Sequence, residues 1–262
     1  MNSINKSIVV TVGYKCNSNC EMCVVGSKDK QNNNATTQEI KDILTEGRKN
    51  KIDRMEFSGG EPTIRTDIIQ LVAFAKTIGY KKIGISTNGI AFNNNIFCNK
   101  LIKAGVNIFT FSLHASNEKV NKKITNNPNS FQKTVDGIIN VLKHKDIKIC
   151  LVTVIQKYNL RQLVEIGNLI SKLGVKQWNI SNLIPTGMKK ESYHSLCVNH
   201  IELKKILVTL IPLSKILQIS LYYFPRNAIP NGFQVNDIIT MSKKGESTNY
   251  ISYDKEGLFK MN

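Results

Sequence analysis

The sequence predicts an α/β protein, built as a partial six-stranded (β/α)6 barrel of the TIM type with a short C-terminal extension. Two observations lead to this prediction. Short apolar runs rich in β-branched residues alternate with segments whose apolar residues recur at helical spacing, and this alternation continues as far as residue 184. The connections are short, which favours right-handed crossovers between parallel strands. A chain of 262 residues is long enough for one domain with a sizeable core.

The first three strands are short apolar runs that end at glycine-containing turns. They are predicted at residues 8–13, 55–58 and 83–85. The helix after the first strand begins at Thr36 or Thr37, whose hydroxyl group can cap it. The helix after the second strand covers residues 68–75, and the helix after the third covers residues 96–104.

The second half of the barrel repeats the pattern. Strands are predicted at residues 108–114, 147–155 and 178–184, and helices at residues 130–142, capped by Ser130, and 160–173. A polar, basic loop at 186–199, a helix at 201–216 and a weaker strand pattern at 219–223 follow. The predicted division is a core at 1–217 and an extension at 218–262, whose tail either covers the barrel mouth or is partly disordered.

Charge and hydropathy limit the function classes. The net charge is +17, but the basic excess is spread evenly and contains no run of five basic residues. This favours a generally basic surface over a nucleic-acid site, with an acidic or phosphorylated partner as the alternative. The sequence contains no apolar run of 18 residues and no signal-peptide pattern, so we expect a cytoplasmic protein that does not interact with a membrane.

A loop with three cysteines follows the first strand directly. Cys16, Cys20 and Cys23 are spaced C-x3-C-x2-C. Closely spaced thiolates are typical of iron–sulfur clusters, because one loop can then present sulfur atoms to several irons. Three ligands leave one iron of a four-iron cluster open, and an open iron can bind a small molecule.

Three further motifs follow the second, third and fourth strands. They are Gly59-Gly60-Glu61-Pro62, Ser86-Thr87-Asn88-Gly89 and Ser112-Leu113-His114. The paired glycines allow the backbone to approach a ligand closely, and the hydroxyl and amide side chains can bind ribose hydroxyls. In a barrel these motifs would share the C-terminal edge of the sheet with the cysteine loop.

Together the four motifs, over residues 5–185, resemble those of the radical S-adenosylmethionine (radical SAM) enzymes. The resemblance implies one four-iron four-sulfur cluster bound by Cys16, Cys20 and Cys23, with S-adenosylmethionine chelating the open iron. Reductive cleavage of this cofactor gives a 5′-deoxyadenosyl radical, which abstracts hydrogen from a substrate. The cofactor-binding residues on this interpretation are Gly59, Gly60, Glu61, Pro62, Ser86, Thr87, Asn88, Ser112, His114 and Thr153.

The resemblance leaves the substrate and the reaction class open. The Ser-Leu-His-Ala stretch and the later Asn-Leu-Ile-Pro stretch look similar to branches that modify peptides or mature cofactors. An electron donor such as flavodoxin or ferredoxin is implied. The alternatives are an RNA-modifying radical SAM enzyme, a non-catalytic zinc or iron–sulfur module, and an electron-transfer protein. Cys98, Cys150 and Cys197 lack paired spacing, so we expect no second cluster.

Overall fold

The computed structural model describes residues 7–26, 32–223 and Pro230, and the backbone of three short strands nearer the C-terminus. The strands are β1 (Ser7–Thr11), β2 (Arg54–Ser58), β3 (Lys82–Thr87), β4 (Ile108–Ser112), β5 (Lys148–Ile155), β6 (Gln177–Asn182), β7 (Gln218–Tyr222), β8 (Ile238–Ile239), β9 (Tyr250–Asp254) and β10 (Gly257–Lys260). They form one sheet in the order β10-β9-β1-β2-β3-β4-β5-β6-β7-β8.

The helices alternate with the strands of the central sheet. They are α1 (Thr37–Lys49), α2 (Ile68–Thr77), α3 (Asn95–Ala104), α4 (Glu118–Thr125), α5 (Ser130–Leu142), α6 (Leu163–Lys172), α7 (Lys190–Leu196), α8 (His200–Thr209) and α9 (Ile211–Ser214). No helix in the described part of the chain is long and apolar enough to cross a membrane.

The predicted open α/β sheet is confirmed. Strands β1 to β8 pair in parallel in chain order, and β9 pairs in parallel with the free side of β1. Only β10 runs antiparallel, against β9. The two edge strands of the described sheet, β10 and β8, do not pair with each other, so the sheet does not close into a full barrel.

Strand β7 lies beyond residue 217 and continues the parallel sheet beside β6. The weaker strand pattern at 219–223 is therefore a seventh parallel strand. Most of the chain between residues 224 and 249 lies outside the described residues. The prediction that the tail covers the barrel mouth concerns this segment and therefore also lies outside the described residues.

The helices depart from prediction in four places. The predicted helix at 201–216 is divided into α8 and α9, because Pro212 has no N–H group to continue α8. Two short helices, α4 and α7, were not predicted. Ser130 is the first residue of α5 and not its cap, which is Asn129 in a left-handed conformation with φ of 60°. The Thr36 cap of α1 is confirmed, and a reciprocal bond from Glu39 completes it.

The two faces of the sheet differ in character. In β2 and β4 every second residue is buried, and these buried residues are apolar. They pack beneath the helices in one continuous core that includes Met55, Phe57, Phe109 and Phe111. The alternate residues face the concave side, where polar side chains are frequent. The polar side chains that could bind ligands therefore lie on the concave side of the sheet and at its C-terminal edge.

Candidate active site

The three-cysteine loop, residues 12–26, leaves the C-terminal end of β1 and is held by the turn after β2. The Gly60 N–H donates to the carbonyl of Gly13 (2.8 Å), and the Glu61 N–H donates to the carbonyl of Lys15 (2.9 Å). These bonds between backbone groups fix the start of the loop immediately before Cys16.

The middle of the loop is held by the chain at the end of α4. The Asn127 side-chain amide donates to the Asn17 carbonyl (2.8 Å), and the Asn126 amide donates to the Asn19 carbonyl (3.0 Å). In addition, the Asn19 N–H donates to the carbonyl of Thr125 (2.9 Å). A helix that the sequence did not predict therefore positions the cysteine loop.

The three cysteines line one cavity of about 280 Å³, which we call the thiol cavity. Each is half-buried, and none forms a disulfide. The Ser18 N–H points at Cys16 Sγ, at 3.4 Å. Burial raises the pKa of the Cys16 thiol to about 11. This thiol is therefore protonated at neutral pH, and a bound metal would displace its proton.

The described residues contain no group of three Cys, His, Asp or Glu side chains arranged to hold a single metal ion. An iron–sulfur cluster makes a different demand, since each thiolate binds its own iron and the sulfur atoms do not converge on one point. Three thiols that line one cavity without converging on a single point fit that second arrangement.

Most of the predicted cofactor residues line the thiol cavity together with the cysteines. They come from the turns after three neighbouring strands and are Gly59, Gly60, Glu61, Ser86, Thr87, Asn88, Ser112 and His114. Parallel strands bring their carboxyl ends to one edge, so motifs far apart in sequence meet there. Pro62 is buried at the start of the following 3-10 helix and does not line the cavity.

Thr153 was expected at the cofactor, but the structure places it on the opposite face of the sheet. Its hydroxyl donates to the Leu113 carbonyl (2.6 Å) and accepts from the Trp178 indole N–H (2.9 Å). Side chains alternate along a strand, and Val152 and Val154 line the cavity, so Thr153 faces the helices.

Glu61 joins the turns after β2 and β3. One carboxylate oxygen accepts from the Thr63 hydroxyl (2.6 Å) and the Thr87 hydroxyl (2.8 Å), and the other accepts from the Asn88 N–H (2.7 Å). The side chain is buried, and this burial raises the pKa of the carboxyl group. Glu61 therefore stabilises the two cavity turns relative to each other.

The close approach that the paired glycines allow is to the cysteine loop. A Cβ atom on Gly60 would lie 2.2 Å from the Lys15 carbonyl oxygen and 2.6 Å from that of Tyr14. A Cβ on Gly59 would lie 2.3 Å from the Gly13 carbonyl oxygen, and Gly59 also has φ of 121°. The glycines thus seat the loop against the end of β2.

Ser86 and Asn88 have partners within the protein. The Ser86 hydroxyl donates to Glu56, which lies deeper in the sheet. The Asn88 side-chain amide donates to Asn17 Oδ1 (2.6 Å), so the turn after β3 also contacts the cysteine loop. Both residues still line the cavity.

His114 is a buried, neutral residue at the cavity wall. Burial lowers the pKa of its imidazole to about 4. Its Nδ1 accepts from the Val154 N–H (3.2 Å), which assigns the ring proton to Nε2. Nε2 has no hydrogen-bond partner among the described residues and can donate to a molecule in the cavity.

Residues of α4, α5 and β5 also line the thiol cavity, and no sequence motif indicated them. Asn121, Thr125, Ser130 and Thr134 supply one wall of the thiol cavity, and Val152 and Val154 supply an apolar part. The alternation of side chains along β5 could have predicted that the two valines face the same side of the sheet. One sequence feature could have predicted the short helix α4. This is Asn117, which caps the helix and whose side chain accepts a hydrogen bond from the Val120 N–H.

Of the remaining cysteines, Cys98 belongs to the helix-side core and Cys150 is buried on β5. Cys197 follows α7 and packs against a small apolar cluster that includes Met22, and Cys20 packs against the same cluster. Cys197 therefore lies near the cysteine loop but does not line the thiol cavity.

The fold and site together define a class of protein: an enzyme with an open parallel sheet and a cysteine-lined cavity at its carboxyl edge. Residues 10–170 match the family model described as "Radical SAM superfamily". The chain therefore belongs to the radical SAM superfamily. Its cofactors are a four-iron four-sulfur cluster and S-adenosylmethionine, and enzymes of this superfamily also need an electron donor and a substrate.

Curated relatives and solved structures agree with this membership. A probable GTP 3′,8-cyclase of Saccharolobus solfataricus is 26% identical over 228 residues, covering 86% of this chain and 71% of that protein. A probable GTP 3′,8-cyclase of Sulfurisphaera tokodaii is 28% identical over 184 residues, 70% of this chain and 58% of that protein.

Among solved structures, Streptococcus suis SuiB bound to the precursor peptide SuiA has a TM-score of 0.66 at 18% identity, covering 82% of this chain and 48% of that one. The structure of anSMEcpe with bound AdoMet has a TM-score of 0.66 at 16% identity, covering 79% of this chain and 59% of that one. The chain thus spans about half the length of these proteins, with which it shares the fold.

Proposed function

We propose that Cys16, Cys20 and Cys23 bind three irons of one four-iron four-sulfur cluster, and that S-adenosylmethionine lies beside it in the thiol cavity. One observation carries the proposal: a single cavity is lined by all three thiols and by the turns after β2, β3 and β4. The donor set fits, because thiolates are the usual ligands of such clusters.

When bound, the cluster and S-adenosylmethionine supply a 5′-deoxyadenosyl radical that removes a hydrogen atom from a substrate. The chain's own residues bind, orient and exclude water. Glu61 fixes the two turns that face the cofactor, and the His114 Nε2–H supplies a neutral donor. Val152 and Val154 give an apolar wall that keeps water from the reacting atoms.

We further propose a small-molecule substrate of the nucleotide class, with flavodoxin or ferredoxin as electron donor. The support is the name shared by the two curated relatives, both probable GTP 3′,8-cyclases. Modification of a peptide is the second candidate, supported by the peptide-bound SuiB structure, whose likeness to this chain is one of fold.

The test is anaerobic incubation of reduced, cluster-loaded protein with S-adenosylmethionine and GTP deuterated on the ribose. We expect 5′-deoxyadenosine that carries deuterium. Formation of 5′-deoxyadenosine without deuterium would contradict the nucleotide substrate alone. A protein that forms no 5′-deoxyadenosine would contradict the cofactor assignment. The matched control is Cys197→Ala, because Cys197 is half-buried like the three loop cysteines but lies outside the thiol cavity.

A further inference from the structure

A second cavity, of about 550 Å³, lies on the concave face of the sheet, and we call it the concave cavity. Side chains from five neighbouring strands, β2 to β6, contribute to its wall, and the end of β7 adds Tyr222 and Tyr223. Its size is within the range of pockets that bind small molecules, roughly 300–1,000 Å³.

The concave cavity adjoins the thiol cavity along the strands. Val152 lines both cavities. On β2, Glu56 lines the concave cavity and Ser58 lines the thiol cavity. On β4, Thr110 lines the concave cavity and Ser112 lines the thiol cavity. Two residues along a strand span about 7 Å, so a molecule in one cavity lies close to the contents of the other.

Three cations lie at the end of the concave cavity that is farther from the thiols. Arg54, Lys82 and Lys148 are the first residues of β2, β3 and β5, and Arg54 and Lys82 are register partners. None of the three forms an ion pair with another described residue. Glu56 is the one carboxylate among the described residues of the wall, so this cavity is positively charged.

Asn179, the register partner of Val152, offers an unused acceptor in the concave cavity. Asn179 Oδ1 is buried and has no hydrogen-bond partner among the described residues. A buried polar atom without a partner destabilises the protein, so such atoms are usually satisfied by a bound molecule or water. Gln177 and Ser181, the neighbouring concave-facing residues of β6, also line the cavity and provide further hydrogen-bonding groups.

Gly84 leaves space for the Glu56 side chain, which lies where the concave cavity meets the thiol cavity. A Cβ on Gly84 would lie 3.1 Å from Glu56 Cγ and 3.3 Å from Glu56 Cβ. Glu56 therefore occupies the place where β3 has no side chain. Its carboxylate accepts from Ser86, which lines the thiol cavity.

We infer that the concave cavity is the substrate site, and that it takes a small molecule with an anionic group, a phosphate or a carboxylate, at one end. Arg54, Lys82 and Lys148 bind that group, and Asn179 accepts a hydrogen bond from the part of the molecule near Val152. The other end reaches Val152, about 13 Å from the Lys148 backbone along β5, where it meets the radical. The inference rests on the proposed function, because it assigns the substrate of that same reaction.

The test uses the full-length, cluster-loaded protein with S-adenosylmethionine, and two probes: inorganic pyrophosphate and succinate. Binding is measured by calorimetry at 0.1 M salt. The pocket variant combines Arg54→Gln, Lys82→Gln and Lys148→Gln. The control variant combines Lys100→Gln, Lys172→Gln and Lys204→Gln, which are exposed on helices and line neither cavity. Both variants lose three positive charges.

We expect the pocket variant to bind the preferred anion at least about tenfold more weakly than the wild type, because it lacks three charged groups that can donate hydrogen bonds to the anion. The control variant should change by less than about twofold, since exposed charges are screened. Tighter binding of pyrophosphate indicates a phosphate substrate, and tighter binding of succinate a carboxylate. Equal losses in the two variants, or a wild type that binds neither probe, would overturn the inference.

A second measurement separates this inference from the proposed function. Formation of 5′-deoxyadenosine by dithionite-reduced wild-type protein without substrate tests the proposed function alone, because none of the three cations lines the thiol cavity. If the wild type forms no 5′-deoxyadenosine, the proposed function is contradicted. If the pocket variant nevertheless binds the anion more weakly than the wild type, the anion site is still supported.

Discussion

Replacing Gly60 with alanine tests how the cysteine loop is held. The new Cβ would lie 2.2 Å from the Lys15 carbonyl oxygen, whereas carbon and oxygen atoms in contact are normally about 3.3 Å apart. The obstructing atom belongs to the backbone, so the loop must move by about 1 Å. That movement also strains the 2.9 Å hydrogen bond from the Glu61 N–H to the Lys15 carbonyl.

The expected cost is about 2–4 kcal/mol in the free energy of unfolding. Overpacking contributes about 1–3 kcal/mol, and the strained hydrogen bond contributes about 1 kcal/mol. Because Lys15 immediately precedes Cys16, the displacement should also misplace the first cluster ligand. We therefore expect Gly60→Ala to lower both the stability of the apoprotein in urea and the iron bound per folded chain after reconstitution.

The matched control is Gly47→Ala in helix α1. A Cβ there would lie 2.2 Å from the Tyr80 hydroxyl oxygen, whose hydrogen bond to the Leu44 carbonyl would be disturbed. This clash is equally short but far from the thiol cavity, so stability should fall while iron per folded chain stays normal. Wild-type iron content and S-adenosylmethionine affinity in Gly60→Ala would refute the reasoning.

Three further results are expected. Alanine at Cys16, Cys20 or Cys23 should abolish cluster absorption and 5′-deoxyadenosine, and iron analysis of the wild type should give roughly four irons per chain. In the wild type, the pKa of folded His114 is about 4 and lies below the ordinary 6.5, so stability is lost as the pH falls below 6.5. This loss is about 2 kcal/mol in the free energy of unfolding between pH 7.5 and 5. His114→Gln should therefore reduce the loss of stability in acid. Asn179→Leu should leave urea stability unchanged or higher while lowering turnover, because it removes a buried acceptor without a partner.

Each of these results has a contrary outcome. A cluster signal that survives when Cys16, Cys20 and Cys23 are all replaced by alanine would mean that Cys98, Cys150 and Cys197 contribute to a second site. An unchanged pH dependence of unfolding in His114→Gln would mean that another group dominates acid destabilisation. A large loss of urea stability in Asn179→Leu would show that Asn179 has a structural partner.

Local patterns in the sequence were enough for the architecture and the chemical class. Apolar runs and helical periodicity predicted six of the parallel strands, and the cysteine spacing predicted the cluster loop, because both depend on residues close together in the chain. The strand-end motifs were also visible, and a parallel sheet necessarily brings such ends to one edge.

The tertiary structure alone decided which way individual side chains face and what they contact. The face that Thr153 occupies depends on strand register, and the contact between Gly60 and the cysteine loop joins segments that only folding brings together. The concave cavity depends on the same register, since Arg54, Lys82 and Lys148 lie on three strands with no sequence motif in common. Sequence by itself determined the strands, the loop and the cofactor chemistry; the long-range packing of strands determined how the cavities are lined, because side-chain neighbours across a sheet are set by pairing and not by chain order.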